Sequence, residues 1–184
     1  MPYDKQSLWG NFKSALIASI KETEATAFKE AWKSCGDRTK FYFYELLPKV
    51  ALKLDLGFQT EKPFRIDGIF VKRAGQTTNV PIIYLESENI ATNSHDEVYK
   101  LCCLNAPLKV LVVCTEWDNE YWKKKVIYGH WHYIVEDFKD ELSLTGYFAF
   151  IIAAWDQTLK FHAFVLNEHA EIIEDQLLIE INPM

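Results

Sequence analysis

The sequence is short of the residues that break or loosen a fold. Glycine occurs 7 times and proline 6 times in 184 residues, which excludes long flexible linkers, collagen-like repeats and low-complexity tracts. Cysteine is also scarce: Cys35, Cys102, Cys103 and Cys114 show no C-x-x-C spacing. A zinc site or a disulfide framework is therefore not expected, and the four read as reduced core residues. No apolar run reaches the length of a membrane span; the longest, around Tyr147 to Trp155, is far too short. Behind Asp4 and Lys5 there is no apolar segment with a small-residue cleavage site, so no signal peptide is expected and the cytoplasm is the expected location. Glycine-rich phosphate loops, G-x-S-x-G and H-E-x-x-H are all missing. Cations are outnumbered, 20 against 26 acids, and the net charge of -6 excludes binding to nucleic acid by bulk electrostatics alone. A local basic face remains open, with Lys72-Arg73 and Lys123-Lys124-Lys125 as its obvious clusters.

What is present is apolar and aromatic. Hydrophobic residues make up 49% and aromatics 15%, with mean hydropathy -0.13, as expected of one soluble globular domain over 1–184. Apolar residues from Leu8 to Ala31 recur at three and four, which predicts a helix over 4–33 started at Ser7 and stopped by Ser34 to Asp37. A second helix is expected over 39–54, kinked at Pro48 and closed by Gly57. The period then changes to two. Strands are expected at 58–60, 64–72 and 80–85, with a turn at 74–77 making the last two an antiparallel hairpin. A helix over 96–104 follows, with caps offered by Thr92 to His95, and then an apolar strand at 108–114 buried on both faces. Residues 119–142 read as a long helix weakened at Gly129, and 147–155 and 159–166 as strands. Residues 170–181 fit helix or strand equally. This order predicts an α/β fold in three layers, with a mixed sheet in the middle and a parallel step at 108–114.

The run from Ile82 to Glu88 carries the chemistry. Four apolar residues lead into Glu86-Ser87-Glu88, and alternation turns both carboxylates to one side. Either they lie solvated in a loop, or a cation such as Mg²⁺, Ca²⁺ or Mn²⁺ relieves their repulsion. Asp67, on the preceding strand, reaches both across the hairpin if the strands pair as drawn.

Ile66-Asp67-Gly68, then an apolar strand ending in Glu86-Ser87-Glu88, then a helix, resembles the PD-(D/E)XK phosphodiesterase superfamily, the restriction-endonuclease-like fold. The αβββαβ order over 39–115 is similar to that family's core; 1–36 adds an N-terminal helix and 119–184 a helix and further strands. The resemblance implies a metal-dependent nuclease hydrolysing phosphodiester bonds, with DNA as the expected substrate and Mg²⁺ or Mn²⁺ as the cofactor. By it, Asp67 and Glu86 hold the metal, and Glu45 stands where many members place another acidic ligand. Glu88 replaces the family's usual Lys, and serves either as general base or as a further metal ligand. Lys100, on the next helix, either supplies the missing cation or faces solvent. The alternative is a catalytically inactive member of the fold that binds a protein partner or nucleic acid, which the missing Lys and the acidic charge favour. A nuclease with one site that cuts both strands would pair as a homodimer.

Other candidates are weaker. His130 and His132 diverge in a helix. His95 would cap the helix it precedes. His162 and His169 carry no pattern. Trp117, Trp122, Trp131 and Tyr133 would stack on bases if exposed, and otherwise belong to the core.

Overall fold

The computed structural model describes residues 3–62, 65–75, 77–115 and 123–182, with the backbone alone at 61 and 62. Seven strands form one sheet in chain order: β1 (Gly57–Lys62), β2 (Ile66–Ala74), β3 (Thr78–Glu88), β4 (Leu108–Thr115), β5 (Tyr147–Trp155), β6 (Leu159–Leu166) and β7 (Ile172–Ile181). β1 to β3 pair antiparallel to one another, β3, β4 and β5 run parallel, and β5 to β7 are again antiparallel.

Helices cover both faces. On one lie α1 (Lys5–Lys21), α2 (Ala25–Ala31) and the continuous run α3 (Cys35–Lys40), a π-helical segment (Phe41–Leu46) and α4 (Leu47–Lys53). On the other lie α5 (His95–Cys102), a second π-helical segment (Lys124–Trp131) and α6 (His132–Glu141). The β3-to-β4 and β4-to-β5 links both cross this second face, as two same-handed steps in one direction require. The core is thus double. Val110 and Val112 of β4 face the first helical layer, and Leu111 and Val113 the second. Each such side chain contributes about 1.5–3 kcal/mol when fully buried.

The α/β three-layer expectation and the αβββαβ order over 39–115 are both present. Several boundaries differ. The helix expected over 4–33 is two helices, and the N-cap is Asp4, whose carboxylate accepts the Ser7 N–H at 2.8 Å. Ser34 to Asp37 do not stop a helix; Ser34 caps the start of α3 by accepting the Asp37 N–H. Pro48 breaks nothing, because the wider π turn just before it carries the Leu47 N–H back to the Tyr42 carbonyl and removes the usual clash with the preceding turn. Asp55, with φ of 55°, makes the left-handed turn after α4, and Gly57 opens β1. Gly129 lies within the second π segment. The undecided tail is a strand, β7. Cys102 and Cys114 are buried, but Cys35 and Cys103 are exposed, which corrects their placement in the core; all four are free thiols. Phe64 and residues 119–122 of the expected elements lie outside the described residues. Among the described residues, no helix is long and apolar enough to cross a membrane.

Candidate functional site

Because β2 runs antiparallel to β3, its beginning lies beside the end of β3. The register pairs Gly68 with Leu85, which brings Asp67 opposite Glu86. Gly68 permits this close approach: a Cβ there would stand 3.0 Å from the Phe58 ring and 3.2 Å from Phe43, which pack beneath β2. The Asp67 carboxylate accepts the Ser87 N–H at 3.0 Å, so it is clamped onto β3. Glu86 is 1% exposed, on the face that carries Tyr84 and α5.

α5 delivers the third group. Its buried stripe of Val98, Leu101 and Cys102 packs on the sheet. That packing lays Lys100 in the last turn across the end of β3, with Nζ 2.6 Å from Glu86 Oε1 and donating to the Arg65 carbonyl at 3.3 Å. Arg65 has φ of 57°, a left-handed conformation that costs a non-glycine residue energy and turns the chain into β2. Burial pushes the Glu86 carboxyl up to about 8; Lys100 pulls it down, and the neighbouring Asp67 carboxylate pushes it up again. Glu86 therefore exchanges its proton near neutral pH, held between one cation and one anion.

Three of the expected site residues, Asp67, Glu86 and Lys100, meet at this end of the sheet. Glu88 is otherwise engaged: its Oε1 accepts the backbone N–H groups of Asn89 at 2.7 Å and Ile90 at 3.2 Å, closing the turn that leaves β3. Glu45 does not join them. The π segment turns Phe41, Tyr42, Phe43 and Leu46 inward and leaves Tyr44 and Glu45 exposed, on the helical layer behind the opposite face of the sheet. Among the described residues, no group of three or more His, Cys, Asp or Glu lies close enough together to share a metal ion.

The remaining candidates also find their places. Ser94, not His95, occupies the N-cap position of α5, and His95 is exposed beside Asp96. His132 Nε2 lies 2.9 Å from the Ala170 carbonyl, while His130 is exposed, so the pair does not converge. His162 is half-buried, and burial lowers its pKa. Trp131 belongs to the core, stacked on Phe150 at 4.9 Å and donating to Ser94 Oγ at 2.7 Å, whereas Tyr133 is exposed. Lys123 pairs with Asp175 at 3.0 Å. Trp117 and Trp122 lie outside the described residues.

Two features had no signal in the spacing of residues. Lys109 is the second residue of an apolar strand, yet its side chain is fully buried. A cleft of about 560 Å³ opens at the ends of β4 and β5, where Trp32 and Arg38 from the helical layer meet Asn89 and Trp155. Strand-end position could have marked Trp155; nothing local marks Trp32 or Arg38. No model of a known protein family matches the sequence, and no curated protein does.

Proposed function

We propose that the protein is a metal-dependent nuclease of the PD-(D/E)XK type, hydrolysing phosphodiester bonds in DNA. The observation that carries this reading is the pairing of Asp67 with a buried Glu86 whose carboxylate is met by Lys100 at 2.6 Å. Two hard carboxylates at one sheet end suit Mg²⁺ or Mn²⁺, which keep several water ligands and need few from the protein. Asp67 and Glu86 would hold the metal, and when bound it would lower the pKa of a water and offset charge developing on the phosphate. The protein's own groups then divide the work. Asp67, fixed by the Ser87 N–H, holds its position. Glu86 would take part as the ionised carboxylate. Lys100, standing where its ammonium reaches the same carboxylate, takes the part that a Lys two residues after Glu86 plays in the family, where this chain has Glu88.

This assignment supports a changed role for Glu88: its engagement with two backbone N–H groups suits a turn-former better than a general base. The same observation favours the second reading, an inactive protein of this fold that binds a partner or nucleic acid. Four free thiols suit a reducing compartment such as the cytoplasm, and cutting both strands would call for a homodimer. The test is calorimetric titration with Mn²⁺ and Mg²⁺, followed by cleavage assays on DNA and RNA. Loss of metal binding and of cleavage in Asp67→Ala and Glu86→Ala is the expected result. Wild-type protein that binds no metal even with a short duplex present would leave the second reading in place.

A further inference from the structure

The cleft beside β4 and β5 is lined by cations and tryptophans together. The chain as a whole carries six more acids than cations. Among the described residues, those that line the cleft include Lys29, Lys33 and Arg38, and no Asp or Glu. Lys33 is met from outside by Glu30 at 2.5 Å, and Arg38 is held in place by its Nε–H to Asn89 Oδ1 at 3.0 Å. The wall is aromatic. Trp32 and Trp155 touch with ring centroids 5.5 Å apart and planes at 49°, and the Arg38 guanidinium lies 6.0 Å from the Trp32 ring. Both tryptophans are only partly buried, so each leaves ring surface toward the cleft.

A cationic rim beside an open indole face matches a ligand with an anionic end and a flat end. We propose that this cleft binds one nucleotide unit, its base stacked against Trp155 and Trp32 and its phosphate on Arg38 and the two lysines. Its volume falls in the range of ordinary small-ligand sites. The cleft lies outside the carboxyl ends of parallel strands, where open α/β sheets take their ligands. Asn89, which orients Arg38, follows Glu88 directly, and three residues of extended chain place it on the order of 10 Å from Glu86. A strand with one unpaired nucleotide seated here would pass the same end of the sheet as Glu86, which lies toward the opposite face. To that extent the inference rests on the nuclease reading, but binding measured in chelator tests it separately from the metal site.

The experiment is tryptophan fluorescence of the full chain in chelator, titrated with thymidine 5′-monophosphate, a ten-residue oligothymidylate and inorganic pyrophosphate. Quenching by the oligonucleotide is expected, with affinity falling as salt rises. Quenching by the mononucleotide as well would identify a free nucleotide as a sufficient ligand; quenching by the oligonucleotide alone would identify a strand; either supports the site. Trp155→Ala should weaken binding roughly 5- to 150-fold, and Arg38→Gln should reduce the salt slope by about one. Because Trp155 also packs on the core, the exposed pair Lys29→Gln/Lys33→Gln supplies a variant that leaves the fold untouched and should lose affinity with a shallower salt slope. No quenching, pyrophosphate binding as tightly as the oligonucleotide, or an unchanged titration in the lysine pair would each overturn the proposal.

Discussion

Glu86 on β3 and Lys109 on β4 point to the same face of the sheet, beneath α5, and both are cut off from water at 1% and 0% exposure. The register sets them two rungs apart, Lys109 opposite Tyr84 and Glu86 opposite Leu111. Among the described residues, Lys109 meets only neutral partners at its ammonium. Its ammonium donates to the Thr145 carbonyl and lies 4.1 Å from the centre of the Phe148 ring. Burial lowers its pKa to about 8, and the nearby Cys102 thiol, pushed up to about 12, stays neutral. Glu86 has a cation on one side and a second carboxylate on the other, at a sheet end. A buried cation held by a carbonyl and a ring face reads as structure; a carboxyl placed against a like charge reads as a site that expects a ligand.

The largest test of that contrast is catalytic. Glu86→Ala should lower metal-dependent cleavage by on the order of 10³-fold or more. Lys109→Met, equally buried, should change it by less than about threefold. Equal loss in both, measured on folded protein, would erase the distinction.

Stability against pH separates the two next. The folded pKa of Glu86, about 8, lies above the usual 4.5, so the unfolded chain releases that proton first. Its contribution to stability then falls as pH rises from 4.5 to 8. The folded pKa of Lys109, also about 8, lies below the usual 10.5, so its penalty is complete below pH 8 and is relieved as pH rises from 8 to 10.5. The acid limb is worth on the order of 5 kcal/mol and the alkaline limb on the order of 3 kcal/mol. Urea unfolding in chelator should therefore show a minimum near pH 8, with Glu86→Gln flattening the acid limb and Lys109→Met the alkaline one.

Metal affinity sharpens the Glu86 side alone. Loading displaces the Glu86 proton, so Mn²⁺ affinity should rise about tenfold per pH unit up to pH 8 and then level. Lys100→Met removes the cation that pulls the Glu86 pKa down, and should move that plateau to higher pH. The smallest effect belongs to Glu45→Gln, which should leave Mn²⁺ affinity within about 0.5 kcal/mol of wild type, since Glu45 is exposed on the far helical layer.

The candidate site was legible in part, for reasons that differ residue by residue. Asp67 and Glu86 were readable because alternation in a strand has period two and a hairpin pairs its arms in register, so sequence spacing converts directly into proximity. Lys100 was one of two open readings; the apolar stripe of α5 decides it only once that stripe has a sheet to pack on. Glu45 failed because position along a helix depends on its exact winding. A six-residue π segment shifts the angular count, and no local residue other than the following Pro48 hints at it. Glu88 failed for another reason: the strand ends there, and the unsatisfied N–H groups of Asn89 and Ile90 claim its carboxylate.

The sequence by itself determined the three-layer α/β plan, the αβββαβ order, the double-sided burial of β4 and the pairing of two acids on neighbouring strands. All of these follow from local periodicity, turn residues and the obligation to bury apolar faces. Only the tertiary structure decided that Lys100 rather than Glu88 meets Glu86, that Lys109 is enclosed, and that Trp32, Arg38, Asn89 and Trp155 line one cleft. Those contacts join helices and strands distant in the chain, and the packing of whole layers brings them together without any residue spacing that records it.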